Sequence, residues 1–547
     1  MIERAIFALG ALLSLSGATQ SAAPSTAADP AAAARVRAHV EFLADDLLEG
    51  RDTGSRGYDI AAAYVASQFR SLGLKPAGEH RGWYQQVKFR TASLADPAPV
   101  VDLIGGGAPR RLRAGTDVVV GPSIQQKQQN LTAPLVFVGY GMSEPALKMD
   151  DYAGLDVRGK IVVALFGTPE GLPTEVAAHI QSAKDDTAAK RGAVGLIEIP
   201  TKAAIGSPVW SYIFNTGNQS TTDWVDANGK TGTAAGLGFY MVASEATAAK
   251  LFSGAKRNFA KVQQEAARKG ARPQGFALTR QLRVQRSSSW HEFTSSEVIG
   301  LLPGTDPQLK DEYVVLMGHL DHLGIKKDAR LGEDAIRNGA LDNAAGVATM
   351  LEAAREFVES GKPPRRSVLF IANTGEEKGL RGADYYAAHP TVPIQQIVSV
   401  VDLDMPLLLY DFTDIVAFGA DHSTVARNVA QAAQSMGVTM SEDPMPEQSI
   451  FTRSDHYQFV KRGVPAILLF TGYANGGKAY WDRWLPSVYH TPQDDLKQAI
   501  NWNAGARYAQ LNYRISRALA DADRRPLWYE GDYFGEVFAP GQPRAKR

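Results

Sequence analysis

Cysteine is absent from all 547 residues, which removes disulfides, thiolate nucleophiles and thiolate zinc sites at once. Any metal must sit on His, Asp and Glu, and any nucleophile must be oxygen or nitrogen. Net charge is absent too: 58 Lys+Arg balance 58 Asp+Glu. A balanced chain offers no broad attraction to nucleic acid or to an anionic membrane. No stretch beyond the N-terminus reaches the roughly 18 uninterrupted apolar residues of a membrane span, so no stable membrane insertion is expected. Internal repeats are also lacking. What is present is 44% hydrophobic and 21% charged, a balance that suits a soluble globular protein. The length implies two or three folding units.

The first residues read as a secretory signal, residues 1–22. Arg4 supplies a positive start, Ala5 to Leu15 is a mostly apolar run, and small residues follow as cleavage sites at Ser16-Gly17-Ala18 or Gln20-Ser21-Ala22. That run is too short to cross roughly 30 Å of hydrocarbon. The mature protein is therefore expected in the periplasm or outside the cell. The basic end, Arg544 to Arg547, reads as a solvated tail.

Helical spacing places Val36, Val40, Leu43, Leu47 and Leu48 on one side of a helix over 32–48. A Gly-broken loop at 50–57 (GRDTGSRG) separates it from a second helix over 58–72. Short strands are expected at 84–90 and 99–103. Residues 120–280 change texture, with short β-like runs at 135–140 and 161–166 between Gly and Pro, and read as a separate, β-rich domain. A charged, helical stretch over 246–269 leads into a polar stretch over 280–296. From residue 296 onward strands alternate with helices. Strands are expected at 313–317, 367–372, 397–403 and 466–470, with a helix starting near Asp342 whose apolar face is Val347, Met350, Leu351, Ala354, Phe357 and Val358. That order predicts an α/β fold: a mostly parallel sheet with helices on both faces.

Polar residues fall where those strands end. The first runs into Gly318-His319-Leu320-Asp321-His322, the second into Asn373-Thr374-Gly375-Glu376-Glu377, and the third into Asp402 and Asp404. Ligand sites of open α/β sheets lie beyond the C-terminal strand ends. Gly339-Ala340-Leu341-Asp342-Asn343 opens a helix, and Tyr489-His490-Thr491-Pro492 lies in a loop. Singly these are ordinary polar packing, a helix cap or a solvated turn. Together, two histidines and several carboxylates with no thiolate suit a hydrolytic zinc site.

The set GHLDH, GALDN, TGEE, DLDM and YHTP, with SDH at 454–456, resembles the co-catalytic zinc aminopeptidase family, which also contains glutamate carboxypeptidase II, transferrin receptor and glutaminyl cyclase. The likeness runs in order over 296–515. FLADDLLEGRDTGSRG at 42–57 is similar to bacterial members with an extra domain, and 120–280 resembles the protease-associated (PA) domain inserted in them. The resemblance implies a peptidase domain split into 23–119 and 281–547. It implies two zinc ions: His319 and Asp404 on the first, Glu377 and His490 on the second, and Asp342 bridging. It also implies Glu376 as general base, Asp321 orienting His319, and Tyr489 donating to the developing oxyanion. Asp404 is preferred to Asp402 because the family pattern places its ligand before Met. His322 reads as a structural neighbour of the site, not a ligand. The segment 453–456 reads as loop-shaping, and the aromatic stretches 210–214 and 473–484 as pocket lining or interface packing.

The implied activity is hydrolysis of the N-terminal bond of peptides with a free amine. The rivals on this scaffold are a glutamate carboxypeptidase-type enzyme, which needs an arginine cluster the sequence does not display, and a glutaminyl cyclase. A non-catalytic receptor would be expected to have lost ligands that are all present here.

Overall fold

The computed structural model describes residues 29–547. The signal-peptide reading of residues 1–22 falls outside them. Among the described residues no helix is long and apolar enough to cross a membrane.

The C-terminal half is built on strands buried along most or all of their length: Tyr313–His319, Ser367–Asn373, Ile397–Asp402 and Ala466–Thr471. Continuous Val, Ile and Leu runs are what a sheet covered on both faces requires. Tyr313–His319 lies between Ser367–Asn373 and Ile397–Asp402, parallel to both, and Ile397–Asp402 continues in parallel to Ala466–Thr471. Asp414–Phe418 adds an antiparallel neighbour on that side, with Thr439–Ser441 parallel at the edge. The sheet is therefore mixed and mostly parallel, and its parallel strand ends converge where the motifs lie.

Helices Pro30–Leu43, Ala345–Glu359 and Trp502–Asp521 pack on one another and, through the latter two, against the sheet. Their starts follow ordinary capping chemistry: Asp29 accepts from the Ala31 amide at 2.9 Å ahead of Pro30, and Asn501 accepts from Ala504 at 3.1 Å. The first helix ends earlier than the periodicity predicts. It stops at Leu43, a short turn of 3-10 type covers Asp46–Arg51, and Leu47 points outward, 84% exposed. Val358, placed on the apolar face by spacing, is also partly exposed, because it lies in the last turn of its helix. That helix begins at Ala345 rather than Asp342, because residues 340–344 form an irregular turn in which the Asp342–Asn343 peptide is cis.

Two long strands carry the sheet onward, the first expected as two short pieces and the second not expected as a strand. Tyr84–Ile104 is continuous, and the polar stretch 280–296 lies inside a strand running Phe276–Leu302. They pair antiparallel over most of their length, with a register shift near Ser287. Polar residues survive there because part of this ribbon is solvent-exposed. Phe276–Leu302 then pairs antiparallel with Ser367–Asn373 at one end and with Gln128–Phe137 at the other. Beyond Gln128–Phe137 follow the parallel strands Ile161–Leu165, Gly195–Ile199 and Tyr240–Ala243, closed by antiparallel Val118–Val120. Parallel neighbours need crossovers, and this lobe accordingly holds helices at Thr174–Ser182, Lys184–Lys190, Pro208–Thr216, Glu245–Leu251 and Phe259–Ala266. It is an α/β lobe, more helical than the expected β-rich texture.

Candidate metal centre

Five chain segments converge beyond the parallel strand ends. His319 closes the Tyr313–His319 strand, and its Nε2 lies 3.2 Å from Asp342 Oδ1 and 3.1 Å from Asp404 Oδ1. On the other side of Asp342, Oδ2 lies 3.2 Å from His490 Nε2, which is 3.4 Å from Glu377 Oε2. Asp342 thus stands between two donor groups and contributes one oxygen to each. The separations match the edge of a tetrahedron built on metal bonds of about 2.0–2.1 Å, which is about 3.3 Å.

The backbone around Asp342 is held by residues that sequence reasoning missed. Asp494 accepts the Leu341 and Asp342 amides at 2.9 and 3.0 Å. Arg51, 1% exposed, donates to the carbonyls of Leu320 (2.9 Å), Asn338 (2.6 Å), Gly339 (3.1 Å) and Leu43. One guanidinium therefore ties the end of the first helix to the His319 segment and to the approach to Asp342. The GRDTGSRG loop contains that arginine, but nothing in its spacing revealed which carbonyls it would meet.

Asp321 works differently from the expectation. Its backbone carbonyl, not its carboxylate, faces His319 Nδ1, at 3.0 Å. The carboxylate accepts from Thr53 Oγ1 at 2.7 Å and from the Glu376 and Glu377 amides at 3.2 and 3.4 Å. It shapes the paired-glutamate loop rather than the imidazole. The ambiguity between Asp402 and Asp404 disappears because the strand ends at Asp402. Asp404 faces His319, while Asp402 accepts from the His456 amide at 3.2 Å. Ser454 Oγ lies 2.8 Å from an oxygen of each and links them. Asp455 takes the Asn373 side-chain amide. The SDH segment therefore braces the Asp404 side of the site.

Glu376 is not among the close ligand contacts. It lines a small cavity of about 30 Å³ with Asp342, Asp404, Arg453, Ser454 and Tyr489. Burial raises its pKa well above the ordinary carboxylate range; His319 opposes this, and neighbouring Glu377, Asp404 and Asp455 reinforce it. Burial also lifts Tyr489, with Asp342 and Glu377 adding to it. Its ring stacks on His490 with centroids 3.6 Å apart.

The donor set fits a pair of divalent cations. Two groups bring their ligand atoms within 4.8 Å of one another: His319, Asp342 and Asp404, and His322, Asp342 and Glu377. Buried Glu377 Oε1 and both ring nitrogens of His322 have no hydrogen-bond partner, although Nδ1 lies 2.8 Å from that oxygen. Orphaned buried polar atoms of this kind need an explanation, and a role in holding a divalent cation supplies one. His322, expected to be a structural neighbour of the site and not a ligand, is therefore itself a member of the second group.

Known proteins resemble the chain over the same segment that carries these residues. Residues 297–515 match the family model described as peptidase family M28. A probable zinc metalloprotease of Pyrenophora teres f. teres is 32% identical over 263 residues, covering 42% of this chain and 53% of that protein. A vacuolar membrane protease of Botryotinia fuckeliana is 26% identical over 183 residues, 32% of this chain and 15% of the relative. The chain thus spans well under two thirds of either. Among solved structures, an aminopeptidase from Aneurinibacillus sp. strain AM-1 is 21% identical with a TM-score of 0.48, covering 94% of this chain and 97% of that one. A zinc aminopeptidase from Bacillus subtilis is 18% identical with a TM-score of 0.43, covering 90% and 95%. The likeness to peptidase family M28 is thus carried by residues 297–515, the segment that holds His319, Asp342, Glu377, Asp404 and His490.

Proposed function

We propose that the protein is an exported aminopeptidase that uses two zinc ions to hydrolyse the N-terminal bond of peptides with a free amine. The carrying observation is Asp342, which stands between His319 with Asp404 and His490 with Glu377 while Glu376 lines the same cavity. Zinc bound by those five residues would supply Lewis acidity and activate water for attack at neutral pH. The protein's part is to place groups around it. Glu376 takes the proton from the attacking water and delivers it to the leaving amine. Tyr489 donates its phenolic proton toward the carbonyl oxygen as charge develops. Ser454 and the Asp321 carboxylate keep Asp404 and the glutamate loop in register.

The carboxylates of Asp342, Glu376 and Asp404 outnumber the lone Arg453 in the cavity wall, which favours a substrate ammonium over a substrate carboxylate. One observation favours the carboxypeptidase alternative. Arg453 lines both the 30 Å³ cavity and an adjoining pocket of about 510 Å³ with Met405, Met445, Ile450, Trp481 and Leu485. Paired assays decide: zinc-loaded protein is expected to cleave amino-acid anilides with a free amine and to ignore amine-blocked ones. Preference for blocked peptides with a free C-terminus, or cyclisation of N-terminal glutamine, would replace the reading.

Residues 120–280 are proposed as a PA-type insert in a split peptidase domain. Export is proposed from Arg4 and the 5–15 run; N-terminal sequencing of the protein recovered outside the cytoplasm, starting near residue 23, tests it.

A further inference from the structure

A chamber of about 820 Å³ opens between the α/β lobe and the catalytic lobe. It shares no lining residue with the small cavity at the ligand cluster. Six cationic side chains line it: Lys190, Arg191, Lys230, Arg381, Lys461 and Arg462. Arg191 is paired with Asp150 at 3.1 Å, Arg381 lies 3.5 Å from Asp223, and Arg462 lies 3.7 Å from Asp384. Lys190, Lys230 and Lys461 make no ion pair among the described residues. Arg381 keeps a buried Nε without a hydrogen-bond partner, and the Oε1 of Gln458, a residue only 6% exposed, is likewise unpartnered. Such atoms in a cavity wall are unfilled hydrogen-bonding capacity.

Four carboxylates also line the chamber, and two are occupied. Asp384 accepts from Trp224 Nε1 at 2.7 Å, and Glu144 from Tyr533 at 2.8 Å. The surplus is therefore positive but diluted by carboxylates, amide and apolar surface from Trp224 and Phe538. A dense inorganic polyanion would meet the remaining carboxylates and leave the Gln458 amide unmatched. A peptide bearing carboxylates fits better. Its side chains answer the unpaired lysines and the free Nε of Arg381, its backbone groups answer an amide in either orientation, and its length suits a cavity in the range that buries whole ligands.

We propose that this chamber binds an acidic peptide segment, held jointly by the two lobes and separate from the metal centre. Titration calorimetry on the full chain tests it, using hexaglutamate acetylated and amidated at its ends, with blocked hexaglutamine and inorganic pyrophosphate as the other arms. Expected are saturable 1:1 binding of hexaglutamate that weakens with salt, and no binding of hexaglutamine. The double variant K190A/K230A, altered only at exposed positions, should weaken binding about tenfold with an unchanged melting temperature. Lys461→Met should act in the same direction, and if it does not fold the double variant decides alone. No hexaglutamate binding, undiminished binding by K190A/K230A, or pyrophosphate binding as tight as the peptide's would each overturn the proposal.

Discussion

The two lobes treat buried charge in opposite ways. In the α/β lobe, Lys184 is buried beside Glu198 at 3.1 Å and also donates to the carbonyls of Leu165 and Gly167 at 2.7 and 2.6 Å. Glu198 is completed by Tyr240 at 2.6 Å and by Gln181. That network closes on itself. The catalytic lobe instead leaves Glu377, His322, Glu297, Asp455 and His456 buried with atoms unsatisfied. Closed networks hold a fold together, whereas open ones point to a missing ligand or to stored instability. Polar burial by itself therefore does not mark a site; unmet capacity concentrated at converging strand ends does.

The sharpest way to break this comparison is at Glu376. Glu376→Gln should cut kcat by about 10²–10⁴ with bound zinc unchanged by elemental analysis. Retained turnover would remove Glu376 as the base. In the closed network, Lys184→Met should cost about 3–5 kcal/mol of stability, read as a lowered denaturation midpoint, while kcat/KM of the folded fraction stays the same. A loss of activity without loss of stability would show that the lobe's ion pair is functional.

A third test uses the junction between the lobes. His422 lies between Asp532 at 2.7 Å and Glu175 at 2.9 Å, the latter on the Thr174–Ser182 helix. Burial opposes its charge, but the two carboxylates raise its pKa to about 9. A raised folded-state pKa favours folding while the imidazole is charged. The gain is complete below the ordinary value of 6.5 and is lost as pH rises through about 9. The stability advantage of wild type over His422→Gln, on the order of 3 kcal/mol at pH 6 and read from denaturation midpoints, should vanish by pH 10. A constant gap would refute it. The smallest effect is expected at Ser454→Ala, which removes a hydroxyl shared by Asp402 and Asp404. Metal affinity should fall about tenfold by competition with a chelator, and unchanged affinity would reduce Ser454 to packing.

Much of the site was legible because its chemistry is written in local motifs at strand ends. His319, Glu377 and Asp404 follow strand runs, Asp342 and His490 entered the set through the family resemblance, and the structure brings all five together. The supporting residues were not legible. Arg51 acts on carbonyls up to 288 positions away, and Asp494 acts on amides 152 and 153 away. No periodicity encodes such contacts. The 276–302 strand was missed for a related reason: alternation signals a strand only where one face is buried, and part of this ribbon is open to solvent.

By itself the sequence determined the chemistry available: no thiols, a balanced charge, buried parallel strands, and a donor set of histidine and carboxylate. Only the tertiary structure decided which carboxylate of a neighbouring pair faces His319, that Asp321 braces the glutamate loop through its side chain, and where cations go unpaired between the lobes. The reason is physical. Residue type and periodicity are local properties of the chain, whereas pairing depends on distances across the fold between segments far apart in sequence.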